Sequence, residues 1–197
     1  MSSSSLIFIA LLAMLVFWVV GAYNRLTRLK NTIANAFGQI DVQLKRRYDL
    51  IPNLVEAAKK YLQHEQATLE AVITARNRAR AASEVVRSRP ANALAVTTLA
   101  TAEQALGGSL GRLFAVAEAY PELKADQTIR ELSEELTSTE NKVTFARQAF
   151  NDAVLDYNNA QGQFPAMLVA RLFSFAPSAM LQATESPIER QAVRIHM

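Results

Sequence analysis

Residues 6–22 read LIFIALLAMLVFWVVGA, a run of 17 residues without a charged side chain. As an α-helix this run covers about 26 Å, and Ser4, Ser5 and Tyr23 extend it towards the roughly 30 Å of a hydrocarbon core. Trp18 and Tyr23 lie near its C-terminal end, where aromatic rings favour the membrane–water interface. The run predicts a membrane span that includes Leu6, Phe8, Leu12, Val16, Trp18 and Val20.

Two other interpretations of this run stay open, a cleaved signal peptide and a buried core helix. Residues 20–22, Val-Gly-Ala, resemble a signal-peptide cleavage site. However, the preceding MSSSS has no Lys or Arg, and the run exceeds the roughly 7–15 apolar residues usual in a signal peptide. These features favour a retained transmembrane helix.

The charges that flank the run predict its orientation. No Lys or Arg precedes it, whereas Arg25, Arg28 and Lys30 follow it closely. Because Lys and Arg resist translocation, we expect a single-pass protein with Met1 outside and the rest of the chain in the cytoplasm.

The remainder of the 197-residue chain has the periodicity of helices. Apolar residues recur at alternating steps of three and four, which places one apolar stripe on each helix. The predicted helices cover residues 24–47, 50–86, 90–119 and 127–161. Short connections predict an all-α fold, in which the membrane helix continues into an antiparallel four-helix bundle of long helices. The predicted domains are a span at 1–23, the bundle at 24–164, and an apolar C-terminal segment and tail at 165–197.

Capping residues and prolines predict where these helices begin. Asp49 before Pro52 predicts a tight corner between the first two helices at residues 48–53. By the same reasoning, Ser88 is expected to cap the third helix and Asp126 the fourth.

The residue types exclude most site chemistries. The chain has no cysteine and only two histidines, and no Glu-x-x-His of a di-iron bundle occurs. Residues 107–111 are rich in glycine, but no strand precedes them, so Gly107 and Gly111 favour a close approach of helices. The net charge of +3 comes without aromatic residues among the basic ones, which argues against nucleic-acid binding. We therefore predict no catalytic residue, metal or cofactor.

A stripe of polar residues runs along one face of the fourth predicted helix, next to its apolar stripe. It could be a solvated flank, a network that fixes helix register, or a ligand groove. The candidate polar network comprises Asp41, Arg47, Asn53, Glu140, Arg147, Asn151 and Asn158.

Residues 166–181 read AMLVARLFSFAPSAML, too short for a second span and too apolar to stay in water. The segment therefore needs its own bundle, the membrane face or a neighbouring subunit as a cover. We expect a homo-oligomer with contacts at Leu168, Leu172, Phe173 and Phe175, and a tail at 191–197 that could add a strand to a neighbour.

Residues 39–56 read QIDVQLKRRYDLIPNLVE, and this stretch resembles the LemA family of bacterial membrane proteins. The resemblance extends over residues 6–185, including YNRL at 23–26, YPELKA at 120–125 and Phe164-Pro165. Phe150 and Arg171 depart from the residues common in the family.

The resemblance implies one N-terminal span, a helical bundle and no established enzymatic activity. The family includes a magnetosome membrane protein, and relatives encoded beside membrane metalloproteases suggest a membrane protease as a partner. The expected function is a non-enzymatic scaffold that self-assembles at the cytoplasmic face of the bacterial inner membrane. The alternative is a small-ligand-binding or enzymatic bundle that uses Glu140, Arg147 and Asn151.

Overall fold

The computed structural model describes residues 3–181, and every regular element in that range is a helix. The predicted all-helical fold is thus confirmed over the described residues, whereas the tail at 191–197 lies outside them. The helices are α1 (Ser3–Lys59), α2 (Gln66–Ser88), α3 (Ala93–Ala117), α4 (Pro121–Ala125), α5 (Gln127–Gly162) and α6 (Ala166–Leu172).

Helix α1 is continuous over 57 residues and contains the apolar run. It holds the one stretch within residues 3–181 that is long and apolar enough to cross a membrane, and none of that stretch is buried inside the protein. No break separates the run from the helical part that follows, as the sequence predicted. At about 1.5 Å per residue, α1 is roughly 85 Å long.

Helix α1 packs against α5 and α2, and α2 packs against α3. The rings of Phe37 and Phe150 lie 6.1 Å apart, and Arg46 pairs with Glu135. The largest fully buried side chains of this core are Tyr157, Phe37, Phe150, Leu26, Ile33, Ile40, Leu44, Ile51, Leu54, Leu62, Leu99 and Leu106.

The predicted corner at residues 48–53 is wrong, because α1 continues through Pro52 to Lys59. Pro52 has no N–H for the carbonyl of Tyr48, one turn earlier, and this loss usually breaks a helix. Here Arg76 of α2 donates its Nε–H to that carbonyl at 2.8 Å. Asp49 is exposed and does not cap a helix. Its Oδ1 lies 3.9 Å from Nη2 of Arg76.

The two other capping predictions have opposite outcomes. Ser88 is the last residue of α2, and its hydroxyl donates to the carbonyl of Val85, so the prediction that it caps α3 is wrong. Asn92 caps α3 instead, with its side-chain oxygen 2.8 Å from the amide of Ala95. Asp126 caps α5 as predicted, accepting from the amide of Ile129 at 3.2 Å.

Asp126 also joins the end of α1 to the start of α5. Its Oδ2 accepts hydrogen bonds from Lys60 and from the Tyr61 hydroxyl, both at 2.9 Å. These donors, with the amide of Ile129, hold the pKa of the Asp126 carboxyl well below its usual range. The end of the helical domain that is remote from the apolar run is thereby tied together.

The Arg76–Tyr48 hydrogen bond predicts an energetic coupling with Pro52. Replacing Arg76 by Met leaves the Tyr48 carbonyl without a donor and should cost about 1–3 kcal/mol. In a Pro52→Ala background, the new amide at position 52 can donate to that carbonyl, so the same replacement should cost less. Urea unfolding of the four detergent-solubilised chains, followed by circular dichroism, measures both costs; equal costs in the two backgrounds would contradict this account.

Candidate functional site

A cluster of charged side chains lies inside the helical domain, between α1, α3 and α5. Arg47 of α1 donates from Nη1 to Oε2 of Glu103 on α3 at 2.7 Å. The same Nη1 lies 2.8 Å from a carboxylate oxygen of Glu140 on α5. Tyr48 donates its hydroxyl to the other oxygen of Glu103. One guanidinium therefore connects three helices.

Burial makes this cluster unusual for charged groups. The side chains of Arg47 and Glu103 are only 8% and 9% exposed, whereas that of Glu140 is 39% exposed. Removing two charges from water is expensive, and their attraction offsets the expense only when the geometry and the remaining hydrogen bonds are good. Both oxygens of Glu103 accept hydrogen bonds, so that condition is met for this carboxylate.

The surroundings change the pKa values of two groups in the cluster. Burial raises the pKa of Glu103 above its ordinary value of 4.5, while Arg47, Tyr48 and Arg147 partly oppose the increase. Burial and the neighbouring Glu103 also raise the pKa of the Tyr48 hydroxyl, which therefore remains a hydrogen-bond donor at neutral pH.

Arg147 of α5 is a buried cation in the same region. It is 8% exposed, and it makes no hydrogen bond or ion pair with any residue between 3 and 181. No nitrogen of Arg147 is among the buried, unpartnered polar atoms of residues 3–181, so the guanidinium is open to the adjoining cavity, where ordered water or an anion can reach it. Arg147 does lower the pKa of Glu103, which shows that its charge acts on the cluster.

The charged cluster faces a cavity of about 360 Å³. Gly107 and Gly111 form part of its α3 wall, and a Cβ built on either glycine meets no atom within 4 Å. The expectation that these glycines allow helices to approach closely is therefore wrong. They leave open space, because α3 lies farther from α5 than α1 does. The cavity is lined by Arg47, Glu103, Gly107, Leu110, Gly111, Phe114, Leu136, Thr137, Glu140, Asn141 and Arg147.

The structure divides the predicted polar network into separate groups. Arg47, Glu140 and Arg147 line the cavity together. Asp41 instead accepts hydrogen bonds from Ser83 and Arg87 of α2, at 2.8–3.0 Å. Asn53 lies on α1, outside the cavity lining.

Asn151 and Asn158 form a third group, which holds the chain after α6. Each side-chain amide exchanges two hydrogen bonds of 2.9 Å with the backbone of a single residue. Asn151 pairs in this way with Leu181, and Asn158 with Ser178. We name residues 176–181 the strap; Tyr157 adds a hydrogen bond from its hydroxyl to the carbonyl of Ala176.

The predicted oligomer contacts lie just before the strap. Phe173 and Phe175 pack edge-on against Tyr23 of the same chain, at centroid distances of 4.9 and 5.6 Å. Leu168 and Leu172 remain 54% and 74% exposed. Part of this apolar segment is thus covered by its own α1.

A turn at the end of α6 leads the chain into the strap. The amide of Phe175 donates to the carbonyl of Ala170, and that of Ser174 to the carbonyl of Arg171. Ser174 has a φ of 55°, the left-handed conformation at the C′ position of a Schellman motif. This turn brings residues 176–181 back along α5.

Sequence reasoning missed Glu103, the acceptor at the centre of the cluster. Its neighbours Leu99 and Leu106 are four residues before and three residues after it, so the residue lies on the apolar stripe of α3. The apolar spacing alone favours Ala102 at that point of the stripe. An acidic residue at a core position was the available signal for a buried ion pair.

Comparison with known proteins gives the family of the chain. The family model described as the LemA family matches residues 36–197. The chain belongs to the LemA family. Protein LemA of Metamycoplasma hominis is 26% identical over 185 residues, which cover 94% of this chain and 79% of that protein. The magnetosome protein MamQ of Magnetospirillum gryphiswaldense is 30% identical over 74 residues, covering 38% of this chain and 27% of that protein.

The raised pKa of Glu103 predicts a pH-dependent difference between the wild type and Glu103→Gln. Folded protein binds the Glu103 proton more tightly than unfolded chain, so ionising this group weakens the fold. As pH rises from 4.5 through the folded pKa, the wild type should lose stability relative to the variant. The loss should level off once the pH is above the folded pKa, because Glu103 is then ionised in both states.

Urea unfolding of both detergent-solubilised chains between pH 4.5 and 8 measures this difference. Glu118→Gln, which alters an exposed carboxylate at the end of α3, is the matched control and should show no comparable trend. A difference between wild type and Glu103→Gln that is constant with pH would contradict the assignment.

Proposed function

We propose that this chain is a membrane-anchored interaction protein without catalytic activity, which self-assembles at the cytoplasmic face of the bacterial inner membrane. The observation that carries the proposal is the continuity of α1, which joins the apolar segment to the helical domain without a hinge. An anchor of this kind holds a domain at a fixed height and orientation above the bilayer. Membership of the LemA family and the similarity to a magnetosome protein support a role at membranes.

In this proposal α1, α2, α3 and α5 form an antiparallel four-helix bundle. The contacts of α1 with α5 and with α2 support it, since residue numbers rise on one helix as they fall on the other. The three basic residues that follow the apolar run, Arg25, Arg28 and Lys30, support a cytoplasmic bundle.

Self-assembly is proposed to use the flank of α5 beside the cavity. Phe145 is 77% exposed and lies one helical turn after Asn141, a cavity-lining residue. A buried Phe side chain contributes about 1.5–3 kcal/mol relative to an exposed one. Anchored neighbours diffuse in two dimensions, which raises their effective concentration and makes a small apolar contact sufficient.

The self-assembly proposal predicts the effect of Phe145→Ser. This variant should remain folded but give a smaller species than the wild type after extraction in mild detergent, as measured by light scattering. Leu94→Ser removes an apolar side chain of equal exposure, 77%, near the α2–α3 turn, and should leave the size unchanged. A wild-type chain that is monomeric both in mild detergent and, by chemical cross-linking, in lipid vesicles would refute self-assembly.

A second candidate function is the binding of a small anion in the cavity. The observation that favours it is Arg147, whose guanidinium opens to the cavity and makes no hydrogen bond or ion pair with residues 3–181. A carboxylate or phosphate group would supply the missing acceptor.

Thermal unfolding in the presence of succinate and of inorganic phosphate tests the anion site. A bound anion should raise the Tm of the wild type with increasing anion concentration. Arg147→Met keeps much of the aliphatic side chain but removes the charge and should abolish that increase. Arg112→Met, at an exposed position on α3, should retain it. An equal increase in all three chains would reject the site.

A further inference from the structure

Helix α6 lies beside α1 at the level where the apolar run ends. The ring of Phe173 is 4.9 Å from that of Tyr23, the residue that directly follows the run. Ala170 is buried in a cluster with Leu26 and Ala160. Leu26 is only about 4.5 Å beyond Tyr23 along the helix axis. The position of α6 relative to the apolar run is therefore fixed by contacts.

Helix α6 has apolar residues on two faces, and only one of them is covered. Val169 and Ala170 face the rest of the protein and are 2% and 4% exposed. Leu168 and Leu172 are one helical turn apart on another face and are largely exposed. Phe164, in the turn before α6, is 79% exposed. Contiguous exposed apolar residues mark an interaction surface.

The length of the apolar run determines which part of a bilayer surrounds α6. Its 17 residues cover about 26 Å, less than the roughly 30 Å of the hydrocarbon core. The edge of the core therefore reaches Tyr23. The headgroup layer adds about 5–8 Å on each side of the core. Helix α6, held between Tyr23 and Leu26, falls within that layer.

The charges around α6 are complementary to an anionic lipid surface. Residues 1–40 and 157–184 contain no Asp or Glu. Arg171 on α6 is exposed, and the basic residues that follow the apolar run, Arg25, Arg28 and Lys30, lie on the neighbouring part of α1. Basic residues next to exposed apolar ones are typical of helices that lie in the membrane interface.

We propose that α6 is an interfacial helix, which lies in the headgroup layer of an anionic bilayer with Leu168 and Leu172 inserted towards the acyl chains. The bilayer is the chosen occupant because the apolar surface is continuous with the end of the span. The proposal rests on the membrane anchoring in the proposed function, but not on self-assembly. It gives the helical domain a second attachment to the membrane beside α1.

Spin labels can measure the depth of α6, since the chain has no native cysteine. Single cysteines are introduced as Leu172→Cys and, in a second chain, Leu168→Cys. Phe8→Cys reports on the span, and Ala119→Cys is the exposed control, since Ala119 lies beside Lys60 and Tyr61 at the opposite end of the helical domain. Each labelled full-length chain is placed in nanodiscs of phosphatidylcholine and phosphatidylglycerol, with one chain per disc and, in a second preparation, with several. The label's collisions with oxygen and with a water-soluble nickel complex give its depth.

The expected result is a label at positions 172 and 168 about 5–10 Å into the headgroup and acyl boundary, with the label at position 119 in water. Labels at both α6 positions that are as accessible to nickel as the control would overturn the proposal. Protection that arises only when several chains share a disc would also overturn it, because a second copy would then be the cover. A water-exposed label at position 8 would instead refute the anchoring itself, and a lipid-exposed one leaves anchoring intact whatever α6 does.

Discussion

The carbonyl of Tyr48 needs a donor from outside its own helix, because Pro52 cannot supply one. Arg76 provides that donor, and α1 therefore continues for two further turns, to Lys59. Those turns bring Lys60 and Tyr61 to Asp126, which caps α5 and fixes its start beside the end of α1. The same register brings Arg47 and Tyr48 to Glu103. The hydrogen bond between Arg76 and Tyr48 thus occurs together with two features of the structure. One is the continuation of α1 to Lys59, and the other is the position of the buried charges.

This hydrogen bond also explains why the corner at residues 48–53 was predicted wrongly. Proline and an acidic residue are local signals, and both favour a helix start when no other part of the chain is considered. The decisive donor is 28 residues away along the chain from Tyr48. Apolar periodicity, by contrast, is repeated over many residues, so it predicted the helical class and the limits of α5 closely. The cap by Asp126 was predictable because its partner is only three residues away.

The candidate site was predictable to a smaller extent for a related reason. The polar stripe identified Glu140 and Arg147, but spacing on one helix cannot show which other helix supplies the partner. Glu103 was therefore missed, and Asn151 and Asn158 were grouped with charges that they do not contact. The cavity arises because α3 stands away from α5 beside Gly107 and Gly111, which depends on packing between helices. Arg147 is the cation there whose guanidinium opens to the cavity without a hydrogen bond or ion pair to residues 3–181.

The distance between Asn151 and Asn158 on α5 matches the distance between their partners, Leu181 and Ser178, in the strap. Asn151 and Asn158 are two helical turns apart, about 10.5 Å, and the three residues from Ser178 to Leu181 reach about that distance only when nearly extended. All four hydrogen bonds go to backbone atoms of the strap. These bonds do not depend on the side chains at 178 and 181, although both side chains are buried and Leu181 packs in the core. Neither asparagine has a substitute that both donates and accepts at the same reach. The two sides of this contact should therefore differ in what limits substitution: hydrogen-bonding chemistry on the helix, and side-chain volume together with the need for a backbone amide in the strap.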